Sequence, residues 1–232
     1  MRFLLLLLPL AALAQEQPHE LLGKVGTRPA LLILHAAQRP DGSAQVAGEY
    51  VILPTLARRF VEGERSPELG VTVLKEGSTP ILFGRPPSAE LHGTWRDGVY
   101  KGARLGPGRQ RREEFEFSEE FPALDALTTN VRCEAKEARY QSRLALAIDK
   151  GALKSLEWRM TEPGGQACSV SAVEQKPMRG GLRFIAGNCR LTLRDAGELL
   201  TLRAENCAAQ CEAEAHLGWL FIDKRGNCEL LP

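Results

Sequence analysis

All six cysteines of this 232-residue chain, Cys133, Cys168, Cys189, Cys207, Cys211 and Cys228, lie in its downstream half, and none precedes them. Cysteines clustered in this way predict a disulfide framework if the chain folds in an oxidising compartment. The N-terminus points to such a compartment. Arg2 supplies a positive start, Phe3 to Leu13 form an apolar run broken only by Pro9, and Ala12-Leu13-Ala14 places small residues at the two cleavage positions. Residues 1–14 therefore read as an export signal, with Gln15 opening the mature chain. The run is too short to span a bilayer and no later segment is long enough, so no membrane insertion is expected after signal cleavage. None of the four asparagines sits in an Asn-x-Ser/Thr acceptor, which favours a bacterial periplasm over a eukaryotic secretory route; the expected localisation is periplasmic or secreted.

The formal charge of the full chain is +1, and the signal carries one arginine and no acid, so the mature chain is neutral. Neutrality removes the electrostatic case for nucleic acid or an anionic membrane. Charge is uneven only locally, where Arg109, Arg111 and Arg112 run into Glu113, Glu114, Glu116, Glu119 and Glu120, a pattern that reads as a solvated strand face or rim.

Along the chain the dominant signal is short β-type runs separated by turns. Leu31 to Leu34, Val46 to Leu53, Arg58 to Glu62, Val71 to Leu74 and Ile81 to Phe83 follow one another at close intervals, with Pro40-Asp41-Gly42-Ser43 as a turn and Pro86-Pro87 as an interruption. This predicts an antiparallel β meander over residues 15–88. Residues 89–232 read as a second, disulfide-bonded β domain, a barrel or a sandwich. Its clearest hairpin pairs Cys189–Asp195 with 200–205: Cys189, Leu191 and Leu193 share one face with Leu200, Leu202 and Ala204, while arginines, threonines and Glu205 take the other. Only 206–217, rich in alanine and opening on Asn206, reads as a short helix. The predicted fold class is mainly β, a meander followed by a disulfide-stapled barrel or sandwich with one short helix near the C-terminus.

Six cysteines allow fifteen connectivities, which hairpin symmetry can rank. Cys189 and Cys207 are equidistant from residue 198 and form the first expected pair; Cys133 and Cys168 are symmetric about Lys150-Gly151, leaving Cys211 for Cys228. The rival arrangement, a zinc site from Cys207, Cys211, His216 and Cys228, is a legitimate tetrahedral set but would strand two thiols in an oxidising compartment. No metal and no cofactor is expected.

The sequence carries no phosphate-cradling loop, metalloprotease helix or serine-hydrolase elbow. His19, His35, His92 and His216 are scattered without acidic and nucleophilic partners at constrained spacing, and Glu119-Glu120 would point to opposite faces of a strand. No catalytic residue is assigned. The candidate binding loops are the Pro/Gly-rich and charged turns: Arg96 and Asp97; Arg109, Arg111 and Arg112; Lys176 and Arg179.

Gly93-Thr94-Trp95, followed by a turn and Tyr100, resembles the opening of calycin-type barrels such as lipocalins and avidin, and the chain is broadly similar in size and setting to the disulfide-bonded β-barrels of periplasmic lysozyme inhibitors. The resemblance implies a barrel over residues 89–206 with Trp95 plugging one end. The expected function is then a non-enzymatic binding or inhibitory module of the cell envelope that presents loops to a protein partner. The alternative is a carrier enclosing a small apolar ligand. Neutral charge sits poorly with inhibition of a basic lysozyme, which would favour an acidic inhibitor. Oligomeric state is left open by the sequence.

Overall fold

A computed structural model describes residues 18–53, 55–66, 70–79, 86–137, 140–162, 164–171, 174–212, 217–224 and 226–231. The export signal, the run 81–83 and His216 lie outside the described residues.

The first eight strands close into an antiparallel barrel in chain order: β1 (His19–Val25), β2 (Arg28–Gln38), β3 (Ala44–Ile52), β4 (Ala57–Arg65), β5 (Val71–Gly77), β6 (Ala89–Arg96), β7 (Val99–Leu105) and β8 (Arg112–Ser118), with β8 pairing back onto β1. The barrel thus occupies 19–118, not 89–206, and takes strands from both sides of residue 88. Gly93-Thr94-Trp95 lies on the sixth strand, not the first. Local pattern could not locate the barrel, because its closure depends on Gly23 meeting Phe117 across most of its length.

Inward positions fill the barrel. Leu21, Leu32, Tyr50, Leu74, Leu91, Tyr100 and Phe117 are all essentially inaccessible and pack as one cluster. Gly93 is inward too, and must lack a side chain: a Cβ there would stand 2.5 Å from a Tyr100 ring carbon and 2.7 Å from one of Phe115. A buried polar group closes the interior toward the β7–β8 end. Glu76, with its side chain 1% exposed, accepts hydrogen bonds from Tyr50 Oη (2.6 Å), Arg104 Nε (2.6 Å) and Arg104 Nη2 (2.8 Å). Burial works to raise the Glu76 pKa, but the Arg104, Tyr50 and Ser88 hydrogen bonds outweigh it and hold the carboxyl below its usual range.

The remaining strands make two sheets. One has four strands, β9 (Thr129–Glu137), β10 (Tyr140–Asp149), β11 (Ala152–Thr161) and β12 (Ala167–Ser171). The other has six, β13 (Glu174–Met178), β14 (Gly181–Ala186), β15 (Cys189–Asp195), β16 (Leu199–Glu205), β17 (Trp219–Asp223) and β18 (Cys228–Leu231), paired in sequence order. They pack face to face through Leu144, Leu146, Leu156 and Trp158 on one side and Phe184, Leu191, Leu202 and Leu220 on the other. The six-stranded sheet is a middle layer, since its far face meets the barrel: Leu199 and Phe221 pack with Leu31, Ile33, Val51 and Leu53 from the outside of β2 and β3 and the turn that follows. This explains why Leu31 to Leu34 are uniformly apolar: β2 is buried on both faces, so its pattern does not alternate.

The hairpin read from 189–205 is present as β15 and β16, with Leu191 opposite Ala204 and Leu193 opposite Leu202. The predicted helix is absent among the described residues. A single 3-10 turn at Ala208–Gln210 stands in its place, because Cys207 bonds Cys189 on the six-stranded sheet while Cys211 bonds Cys168 on the four-stranded sheet. Residues four apart on a helix share one face and could not serve two layers. The other two expected pairings are also corrected. Cys133 bonds Cys228, and Cys168 bonds Cys211. Residues 150 and 151 do turn a hairpin, but β9 and β12 lie on opposite edges of its sheet, three strand spacings or about 14 Å apart, too far for a bridge. All three cysteines of the zinc alternative are consumed in disulfides.

Candidate functional site

The chain presents its turns at two ends of the barrel. At one end Asp97-Gly98 makes the two-residue β6–β7 turn, with both residues at positive φ (52° and 74°) as a tight hairpin requires. The start of β1 and the exit from β8 lie beside it, the Glu119 N–H donating to the Gly98 carbonyl at 3.0 Å. The β13–β14 turn reaches the same place from the middle layer: Arg179 pairs with Glu120 at 2.6 Å. Together they bound a cleft of about 300 Å³. Its rim is exposed and polar, from His19, Asp97, Glu119 and Arg179; its floor is Glu20 and Arg194, with side chains 2% and 16% exposed.

The floor belongs to the junction between barrel and middle layer. Glu20 projects outward from β1 and meets Arg194 Nε of β15 at 3.1 Å and Arg203 Nε of β16 at 2.7 Å, while Arg203 Nη2 also reaches Glu205 at 2.6 Å. Burial pushes the Glu20 carboxyl above its usual range despite the opposing pull of the Arg203 and Arg194 charges. Burial likewise lowers Arg194, more than the Glu20 charge restores. His35, on the barrel face turned toward the junction, is lowered by burial and then by the Arg203 charge.

Trp95 packs against the barrel core at this end. Its ring stacks on Tyr100 (centroids 6.0 Å apart), meets the His19 ring edge-on at 5.6 Å and lies beneath the Arg65 guanidinium at 5.6 Å. No family model, curated protein or solved structure matches this chain. The site therefore stands on its own geometry.

Of the candidate loop residues, the fold brings Asp97 and Arg179 to one cleft, with Arg96 beside Asp97 at 3.5 Å. Lys176 sits on edge strand β13, paired with Glu174 at 3.5 Å. Arg109, Arg111 and Arg112 lie at the opposite end of the barrel. There Arg111 and Arg112 pair with Glu113 (3.3 Å) and Glu114 (2.9 Å), and Arg109 lines a separate cleft of about 350 Å³ with Glu90 and Leu105. Sequence reading missed Glu20, Arg194 and Arg203. The arginines stand on the polar face of an alternating hairpin, a pattern that ordinarily means solvent, and only a third layer makes that face interior.

Proposed function

We propose that the protein is a non-enzymatic binding or inhibitory module of the cell envelope, exported by residues 1–14, whose contact surface for a protein partner is the rim around Asp97 and Arg179. One observation carries this reading: two loops from distant segments converge over one charged cleft on a scaffold braced by three disulfides and a filled barrel. Rigidly held loops lose little freedom on association, which is what a recognition surface needs. The disulfides fit an oxidising compartment, and among the described residues no helix is long and apolar enough to cross a membrane.

Kinship with calycin-type barrels is part of the same proposal, supported by eight antiparallel strands closed in chain order with Trp95 packed against the core at one end. The carrier alternative draws no support from an interior filled by Tyr50, Tyr100, Phe117 and leucines. A photo-crosslinking residue at position 97 should give one discrete protein adduct in the periplasm of the host, and the same residue at position 143, on the outer face of the four-stranded sheet, should not. Identical adduct patterns from both positions would remove the rim from consideration.

A further inference from the structure

The barrel-facing side of the middle layer holds buried hydrogen-bond donors that no acceptor of the described residues satisfies. Arg183 on β14 is the direct cross-strand neighbour of Thr192 on β15, which in turn neighbours Arg203 on β16. Arg194 follows two residues along β15 and so shares their side of the sheet. Thr192 is 1% exposed and Arg203 is 8% exposed. Among the described residues, Arg183 Nε, Thr192 Oγ1 and Arg203 Nη1 lack a hydrogen-bond partner, while Arg194 Nε and Arg203 Nε face Glu20 at 3.1 and 2.7 Å without the alignment of a hydrogen bond, which leaves Glu20 Oε1 unpaired as well. Glu205 lies 2.6 Å from Arg203 Nη2, and Arg183 has no ion-pair partner among the described residues.

Three guanidinium groups thus share two carboxylates, and burial favours the uncharged form of one of them, Glu20. Buried donors without acceptors are costly. A group that would relieve them must bring several acceptor oxygens and negative charge. Guanidinium forks match carboxylate and phosphate oxygens, and a threonine hydroxyl between two arginines can donate to a further oxygen. Arg194 also lines the cleft over Glu20. We propose that Arg183, Thr192 and Arg203, with Arg194 at the mouth, form a binding site for a small oxyanion group, a phosphate or a carboxylate. The site is independent of whether the rim above it contacts a protein.

The test is thermal unfolding of the full mature chain titrated with sodium phosphate, sodium acetate or sodium chloride at constant ionic strength. A saturable rise in midpoint with phosphate or acetate, absent with chloride, is the expected result, and the arm that saturates at lower concentration identifies the group. Arg183→Gln, at a partly exposed position, and Thr192→Val, nearly the same shape, should each weaken the apparent affinity at least tenfold, while Arg112→Gln at the far end of the barrel should not. Titrations indistinguishable from chloride, or an unchanged affinity in Arg183→Gln, would overturn the site. Should Thr192→Val not fold, Arg183→Gln decides alone.

Discussion

At the scale of single residues, the two buried carboxylates behave in opposite ways. Glu76 is held ionised by Arg104, Tyr50 and Ser88, so its folded pKa is depressed. The stability it contributes is present above the ordinary carboxylate range and is lost as pH falls through its folded pKa. Arg104→Met would leave that charge buried without its main partner and should cost about 3–5 kcal/mol at pH 7, with a smaller penalty in acid, measured by urea denaturation at both pH values. Glu20 has a raised pKa. Its contribution is present below the unfolded carboxylate pKa and is lost as pH rises through the folded value. Glu20→Gln should therefore gain stability relative to the parent as pH climbs from 4 to 7; denaturation midpoints whose difference does not change with pH would contradict this. Neither carboxylate was legible in the sequence. Glu76 sits in Lys75-Glu76-Gly77 and Glu20 in His19-Glu20-Leu21, contexts that look solvated until barrel closure buries one and the middle layer covers the other.

At the scale of elements, legibility followed the range of the pairing. The hairpin of β15 and β16 could be read because strict alternation and the turn at 196–198 are local, and with it the Cys189–Cys207 bridge. Cys133–Cys228 links the two sheets and Cys168–Cys211 ties the four-stranded sheet to the segment between β16 and β17, and no symmetry within one sheet anticipates either. Digestion of non-reduced protein should yield these three linked peptide pairs. In the chain-entropy treatment, loss of the 18-residue bridge Cys189–Cys207 costs about 3 kcal/mol and loss of the 95-residue bridge Cys133–Cys228 nearer 4.7 kcal/mol. Paired cysteine-to-serine variants compared by guanidinium denaturation should preserve that order.

At the scale of the whole molecule, barrel and sandwich share an interior. Phe221 is 1% exposed on the face of the middle layer that meets Leu31 and Val51, while its neighbours Leu220 and Ile222 point into the sandwich. Phe221→Ala should cost about 3–5 kcal/mol, and the parent protein should unfold in one transition seen alike by near-UV and far-UV circular dichroism. Two separated transitions in the parent would mean that the junction does not couple its parts.

The barrel, being closed, offers no strand edge, and the sandwich guards the edges it has. Strand β13 carries Lys176 and Pro177, residues that discourage an incoming strand. Strands β9 and β18 are the outermost strands of their sheets, and Cys133–Cys228 pins one against the other. A reductant that opens this bridge should loosen two strand margins at once and favour their pairing with strands of other copies, read as a rise in light scattering on reduction.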